Sequence, residues 1–240
     1  MLLQALIFDV DGTLADTERD GHRVAFNAAF REFGLDWEWN IALYGKLLAV
    51  TGGKERMKYY VDSFRPDYTP AADFNDMVVE LHRAKTRHYT EILQQGGIPL
   101  RPGVRRLIQE AREAGLRLAI STTTTPENVT ALLKYSMASD AIDWFEVIAA
   151  GDIIPAKKPA PDIYIWALQQ LKLAPEACFA FEDSENGIRS SLAAGIKTLL
   201  TTNDYTHDHA LPRASPHFID LGEPASFQLV MRRRQPDDPL

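Results

Sequence analysis

The stretch that decides the fold is Leu6-Ile7-Phe8-Asp9-Val10-Asp11-Gly12-Thr13, an apolar run that ends in two carboxylates one residue apart. The run is too short for a helix and apolar on both faces, which is typical of a central strand in a parallel sheet. Side chains two positions apart share a face of a strand, so Asp9 and Asp11 repel each other unless a cation relieves them. Mg²⁺ prefers few carboxylates, water and phosphate oxygens. The stretch therefore indicates phosphoryl chemistry, and an acidic turn after a buried strand is the simpler alternative.

Composition limits the class of protein. The 240 residues are 45% hydrophobic and 25% charged, as in ordinary globular domains, and the net charge of -7 disfavours nucleic acid as a partner. Cys178 is the single cysteine and lies in an apolar run, so it forms no internal disulfide, which fits a reducing cytosol. No apolar stretch approaches the ~20 residues that cross a bilayer, and no signal peptide is evident. We expect a cytoplasmic protein that binds neither nucleic acid nor membrane. A monomer is the working expectation, although the sequence does not reveal the oligomeric state.

The order of the predicted elements indicates two domains. Residues 17–95 show only helical spacing and end at Gly96-Gly97, and we interpret them as an inserted helical cap. Beyond them helices and short apolar runs alternate, which predicts a parallel sheet covered on both faces. The fold class is therefore α/β, with a Rossmann-like core formed by residues 1–16 and 96–231 and a flexible tail at 232–240. Within the core we predict a first strand at 4–10, then strands at 116–121, 145–150, 178–182, 196–200 and 217–219, and helices at 103–114, 126–136, 161–171 and 184–194.

Polar side chains follow several of these strands. Asp9 and Asp11 follow the first strand, a run of threonines beginning at Thr122 follows Ser121 at the end of the second, and Glu182-Asp183 end the fourth. Because ligands bind beyond the carboxyl ends of parallel strands, these groups are predicted to meet at one edge, with Lys158 from a nearby loop. Considered alone, Thr122 is more simply interpreted as a helix N-cap and Lys158 as a solvated charge in a loop. Together they are the groups that phosphoryl transfer needs: carboxylates for a metal, a phosphate-binding hydroxyl and a neutralising cation.

These motifs resemble those of the haloacid dehalogenase superfamily, in order and over nearly the whole chain. They are Asp9-Val10-Asp11-Gly12-Thr13, Thr122, Lys158-Pro159-Ala160-Pro161-Asp162 and Glu182-Asp183-Ser184-Glu185-Asn186-Gly187. The resemblance implies that Asp9 is a nucleophile forming an aspartyl-phosphate and Asp11 the general acid and base, with Thr122 and Lys158 as further catalytic residues. It also implies a Mg²⁺ cofactor held by Asp9, the Asp11 main-chain carbonyl and Asp183. Glu182 would contribute from the second shell or through water.

Segments of the predicted cap resemble the CbbY-like branch of that superfamily. The segment Thr51-Gly52-Gly53-Lys54-Glu55-Arg56-Met57 carries most of this resemblance, together with segments around His22 and His82. The resemblance implies a small phosphorylated sugar as substrate, in particular a bisphosphate such as xylulose 1,5-bisphosphate. A glycine pair at a helix start can bind a second phosphate, with Arg56 as a forked partner, or it can simply form a turn. The residues assigned to substrate binding are Glu18, His22, Gly52, Gly53, Lys54, Arg56 and Thr123.

Two alternatives to a phosphatase stay open. A phosphomutase resembling β-phosphoglucomutase shares the core motifs and the cap type, and differs in how the closed cap excludes water from the phosphoenzyme. A catalytically silent binding module on the same scaffold is disfavoured because every expected catalytic group is present. A dehalogenase is disfavoured as well, since it leaves Asp11 without a role.

Overall fold

The computed structural model describes residues 2–70, 73–206 and 217–222. The strands in these ranges are β1 Ala5–Phe8, β2 Arg117–Ser121, β3 Val147–Ala149, β4 Cys178–Glu182, β5 Lys197–Thr201 and β6 His217–Phe218. They form one sheet in the order β3-β2-β1-β4-β5-β6, and every neighbouring pair is parallel. The predicted α/β fold with a parallel sheet is thereby confirmed.

The central strand β1 is buried on both faces. Leu6 and Phe8 belong to one hydrophobic cluster and Ala5 and Ile7 to a second cluster on the opposite face, as the continuous apolar run predicts. Phe8 pairs in register with Ile120 of β2 and with Phe181 of β4. The residues that follow these three strands therefore leave the sheet at one edge.

Some helices pack on the sheet, and those that follow β1 in the chain form a separate layer. The α-helices of the described residues are α1 Arg23–Glu32, α2 Ile41–Leu47, α3 Gly53–Phe64, α4 Phe74–Gln94, α5 Val104–Glu113, α6 Pro126–Leu132, α7 Asp162–Leu171 and α8 Glu185–Ala193. A π-helical turn, Glu18–His22, precedes α1, and another, Leu133–Met137, continues α6 to one residue beyond the end predicted from sequence. Within the described ranges no helix has both the length and the apolarity to cross a membrane.

The four helices α1 to α4 have a core of their own. Aromatic side chains of α1, α2 and the connecting loop pack together, with Trp39 wedged between Phe26 and Phe30 at ring-centroid distances of 4.7 and 4.9 Å. Asn27 supports this loop by exchanging two hydrogen bonds with the Trp39 backbone. This separate core supports the predicted cap, whose boundaries at 17 and 95 stay a prediction. The predicted tail at 232–240 lies outside the described residues.

Candidate active site

The loop after β1 brings the two aspartates to the edge of the sheet. Gly12 has φ +84°, and an added Cβ there would lie 2.1 Å from Asp183 Oδ2. The chain therefore requires glycine at this point, both for the left-handed turn and for the close approach of Asp183. Asp9 is buried, and it lies at the carboxyl end of the strand where the sequence places it.

Lys158 lies at the centre of the part of the site that the α/β core forms. Its Nζ donates to Asp9 Oδ1 (2.6 Å), Glu182 Oε1 (2.7 Å) and the Ser121 carbonyl (2.8 Å). The residue is only 6% exposed. Burial alone lowers the pKa of Lys158, but the two carboxylates outweigh burial and raise its pKa above the ordinary value. The ammonium group is therefore a fixed positive charge next to Asp9.

Glu182 accepts from Lys158 and is itself contacted by two residues, Tyr164 and Gly187, to which the sequence analysis gave no role. The Tyr164 hydroxyl on α7 donates to Glu182 Oε1. An added Cβ at Gly187 on α8 would lie 1.8 Å from Glu182 Oε2. Gly187 stands inside the fourth motif and Tyr164 two residues beyond the third, so the motifs mark their neighbourhood but not their tasks.

Three buried carboxylates offer a site for a divalent cation. Asp9, Glu182 and Asp183 each place one oxygen within 4.8 Å of the others. Burial raises the pKa of Asp9 to about 8 despite Lys158, and burial also raises the pKa of Asp183 well above its usual range. Burial and the mutual repulsion of the carboxylates cause these shifts, and a bound cation would oppose both. An all-oxygen donor set of this kind fits Mg²⁺.

Asp11 faces away from this cluster, into a hydrogen-bonded chain supplied by the cap. Asp11 Oδ1 accepts from Thr17 Oγ1 (2.6 Å) and lies 2.8 Å from His22 Nε2, while His22 Nδ1 lies 2.8 Å from Lys85 Nζ. Because an ammonium can only donate, Nδ1 is the acceptor and the ring proton sits on Nε2, directed at Asp11. Burial alone raises the pKa of Asp11, but His22, Thr17 and Lys85 together lower it below the ordinary value.

The chain of contacts Lys85–His22–Asp11 connects two helices of the cap to the loop after β1. His22 lies behind Asp11 and does not line the cavity, and its predicted contact with substrate stays a prediction. Burial lowers the pKa of Lys85 to about 8. Sequence reasoning included Lys85 only as part of a cap segment, because its partner His22 is 63 residues away.

A cavity of about 270 Å³ lies between the strand ends and the cap. The sequence-predicted residues that line it are Asp9, Asp11, Glu18, Arg56, Thr122, Thr123, Lys158 and Asp183. Thr122 is buried, and its Oγ1 accepts from the Thr124 backbone N–H at 3.3 Å, in the loop between β2 and α6. The cavity thus has carboxylates on the wall that the core forms and cap residues on the opposite wall.

The cap wall carries a buried cation. Arg56 is 7% exposed, and its NH1 donates to the Tyr44 hydroxyl at 2.9 Å, which in turn donates to Glu18 Oε2. Arg56 also lies 3.7 Å from Glu18, and its Nε is buried without a hydrogen-bond partner among the described residues. Tyr44 was missed in the sequence because nothing in its local pattern distinguishes it from other core aromatics. The cap wall therefore places a buried guanidinium beside the cavity.

The glycine pair and Lys54 lie elsewhere. Gly52 caps α3 with φ +98°, and Gly53 packs against His82. Lys54 Nζ is paired with Asp152 Oδ2 of the core at 2.5 Å, and none of the three residues lines the cavity. Their predicted contact with substrate stays a prediction. In this arrangement Lys54 joins cap to core.

The parallel α/β core presents an aspartate pair after β1, a buried lysine and a carboxylate cluster at one edge of its sheet. The model of the haloacid dehalogenase-like hydrolase family matches residues 3–195, and the chain belongs to this family. The comparisons further identify it as a phosphatase of the family, since relatives include an enzyme named phosphorylated carbohydrates phosphatase from Thermotoga maritima, 27% identical over 82% of the chain and 84% of that protein.

Closer similarity is found to proteins named CbbY. The chain is 48% identical to the plasmid-encoded CbbY of Cupriavidus necator, over 93% of this chain and 87% of that protein, and 49% identical to CbbY of Rhodobacter capsulatus, over 94% and 97%. Among solved structures, CbbY from Rhodobacter sphaeroides in complex with xylulose-(1,5)bisphosphate, a mutant form, has a TM-score of 0.86 at 40% identity, covering 92% of this chain and 96% of that one. The resemblance to the CbbY-like branch is therefore confirmed.

Proposed function

We propose that this chain is a Mg²⁺-dependent phosphatase for a phosphorylated sugar, preferably a bisphosphate such as xylulose 1,5-bisphosphate, and that it works through an aspartyl-phosphate on Asp9. The observation that carries the proposal is the opposite setting of the two aspartates in one cavity. Asp9 lies among Lys158, Glu182 and Asp183, whereas Asp11 is held by Thr17 and His22 from the cap side. One aspartate is thus arranged for attack and the other for proton transfer.

In the first half-reaction a carboxylate oxygen of Asp9 attacks phosphorus, and the bond from phosphorus to the sugar oxygen breaks. Asp11 gives a proton to the departing oxygen. Its low pKa in this arrangement means that Asp11 must first receive that proton, and the His22 Nε2–H already points at it. Lys85 is placed to return a proton to His22 Nδ1.

In the second half-reaction Asp11 is the base. It takes a proton from a water molecule, whose oxygen attacks the phosphoryl group and releases inorganic phosphate from Asp9. The low pKa of Asp11 suits this step. Lys158 neutralises charge on the phosphoryl oxygens throughout, and Thr122 contributes its hydroxyl. A bound Mg²⁺ would add positive charge at the same oxygens, held by Asp9, the Asp11 carbonyl and Asp183, with Glu182 behind Lys158 as a supporting carboxylate.

The preference for a bisphosphate is supported by Arg56 and by the relatives. Its guanidinium is buried on the cap wall, faces the catalytic residues across the cavity and has an unpartnered Nε. The Rhodobacter sphaeroides protein, which shares 40% identity, binds a sugar bisphosphate in its crystal structure. A second phosphate bound to Arg56 would use binding energy far from the reacting phosphorus to hold the cap closed.

A panel of sugar bisphosphates and monophosphates tests the proposal, with phosphate release measured in Mg²⁺ and in excess chelator. We expect Mg²⁺-dependent release, highest with bisphosphates, and none from Asp9→Asn, whose fold is checked by circular dichroism. Asp183→Ala should need more Mg²⁺ for the same rate. Normal release by a folded Asp9→Asn protein would overturn the mechanism. Isomerised sugar phosphate without net phosphate release would establish the phosphomutase alternative.

A further inference from the structure

A second cavity, of about 470 Å³, lies behind the loop that carries Asp11, and Arg101 lies in its wall. The Arg101 side chain is only 6% exposed. Its NH1 donates to the carbonyls of Gly12 and Thr201, the latter at 3.1 Å, and its NH2 donates to those of Thr202 (2.6 Å) and Ile219 (2.7 Å). One buried guanidinium thereby joins the loop after β1, the end of β5 and the segment after β6.

Two of these loops contact Asp183 directly. Gly12 packs so closely against Asp183 that no Cβ fits between them. Asn203, the residue after Thr202, donates from Nδ2 to Asp183 Oδ2 at 2.7 Å. The orientation of the amide is fixed, because Asn203 Oδ1 accepts from the Tyr205 backbone N–H at 2.9 Å and only Nδ2 remains for the carboxylate. The position of Asp183 therefore depends on where these two loops are held.

We infer that Arg101 is a positioning residue for the metal site: it holds the Gly12 loop and the Thr202–Asn203 segment so that Asn203 fixes the Asp183 carboxylate for a divalent cation. The inference rests on the proposed function for its metal, but not for turnover. Arg101 does not line the cavity that holds the substrate-facing groups, so it touches neither substrate nor the reacting atoms. Its influence passes through backbone carbonyls and Asn203.

The chemistry of the side chain explains why arginine is needed here. Four carbonyl acceptors surround a planar group with five N–H donors in a fixed fork, whereas a lysine ammonium at the same place has three donors and no plane to match them. Asp16 Oδ1, at 3.3 Å from Nε, partly balances the charge. Arg101 thus orients the ligand through the two loops that its guanidinium holds.

The test measures Mg²⁺ binding directly by isothermal titration calorimetry, beside phosphate release, for Arg101→Lys, Asn203→Ala and the double variant. Removing a group that orients a metal ligand weakens metal affinity roughly 10- to 100-fold, and we expect a Kd for Mg²⁺ raised at least tenfold by either change. The double variant should bind Mg²⁺ about as tightly as the single variant that binds it less tightly, because both changes interrupt the same series of contacts to Asp183. At saturating Mg²⁺ the Arg101→Lys variant should keep the wild-type KM for substrate.

Arg106→Lys is the matched control. Arg106 also joins α5 to the segment after β6, through its NH2 and the Leu221 carbonyl at 2.6 Å, and it is 31% exposed. Its replacement should leave Mg²⁺ affinity unchanged. Unchanged affinity in Asn203→Ala, or an equal loss in Arg106→Lys, would overturn the positioning role even if Arg101→Lys fails to fold. A wild type that binds Mg²⁺ without releasing phosphate, with the variant effects intact, would instead overturn the phosphatase proposal and support this one.

Discussion

Replacing Arg56 by methionine should separate the recognition of a second phosphate from catalysis. The guanidinium donates from NH1 to Tyr44, its Nε is buried without a partner among the described residues, and Arg56 lines the cavity. Lys54, only two residues earlier, is the natural comparison. It is the other cation that the sequence assigned to the same phosphate, yet its ammonium is paired with Asp152 and does not line the cavity.

The expected size of the effect follows from these contacts. A hydrogen bond to a charged group contributes about 1.5–3 kcal/mol, so Arg56→Met should lower kcat/KM for a bisphosphate roughly 10- to 150-fold. Lys54→Met breaks an ion pair in which Lys54 is 33% and Asp152 63% exposed. Pairs of that kind contribute at most about 1 kcal/mol, so we expect a change of less than about fivefold.

The assay is steady-state phosphate release from a sugar bisphosphate and from the matching monophosphate, for wild type and both variants. Arg56→Met should erase most of the preference for the bisphosphate and leave the monophosphate rate near wild type, because Asp9 and Lys158 are untouched. Equal loss on both substrates would mean that Arg56 supports the structure of the cap. Equal loss of preference in Lys54→Met would show that Lys54 leaves Asp152 to reach the substrate, as the sequence predicts.

Three further predictions concern the proposed active site. Lys158→Ala should lower kcat roughly 10²-fold or more, whereas Lys157→Ala should not, since Lys157 pairs with Asp152 outside the carboxylate cluster; the reverse pattern in kcat would contradict the structure. Lys85→Met removes a charge that lowers the pKa of Asp11, so the limb of the pH–kcat profile that reports Asp11 should move to higher pH; an unmoved limb would refute the link. Burial raises the pKa of Asp9 to about 8 and also raises the pKa of Asp183, so Mg²⁺ binding at pH 7 should release at least one proton and should tighten by about tenfold or more by pH 9; calorimetry in two buffers measures this, and a pH-independent Kd would count against it.

The same shift has a consequence for stability without metal. A carboxyl whose pKa is raised on folding binds its proton more tightly in the folded state, so stability falls as pH rises from the unfolded pKa of Asp9 towards its folded value of about 8. The slope is about 1.4 kcal/mol per pH unit for one such group. Thermal unfolding in chelator, repeated in Mg²⁺, measures it, and the metal should flatten the dependence by binding the ionised form. A metal-free Tm that rises from pH 5 to 8 would contradict this sign.

The residues that meet at the carboxyl ends of the strands were predictable, because the apolar pattern locates the strands and the parallel topology brings their ends to one edge of the sheet. The strand at 178–182 has the predicted bounds, and the apolar run before Asp9 ends at the same level as its neighbours. β3 is shorter than predicted: Ala141–Trp144 forms a 3-10 turn, so the strand begins at Val147 and not at Phe145. α4 begins at Phe74, because the Asp73 side chain accepts from the backbone N–H groups of Asn75 and Asp76. Local capping thus decides boundaries that hydrophobic spacing alone leaves open.

The supporting residues were not predictable, because their roles come from partners far away in the chain. Arg101 contacts a carbonyl 89 residues away, and Lys85 contacts His22 across 63 residues. In the sequence each is one basic residue in a segment that contains others. Only the fold distinguishes a cation that is buried against a catalytic group from one that is solvated on a helix surface.

The two aspartates also show why the cap belongs to the chemistry. They are one residue apart, yet burial raises the pKa of Asp9 while His22, Thr17 and Lys85 lower that of Asp11. The partners that lower it come from the start of the helical layer and from α4, whereas Asp9 is surrounded by strand ends. A movement of the cap that withdrew His22 and Lys85 would remove the hydrogen bond of His22 and the charge of Lys85, which both favour the ionised form of Asp11, and would leave the strand-end partners of Asp9 in place. The protonation state of Asp11 is therefore the property through which the position of the cap can control proton transfer.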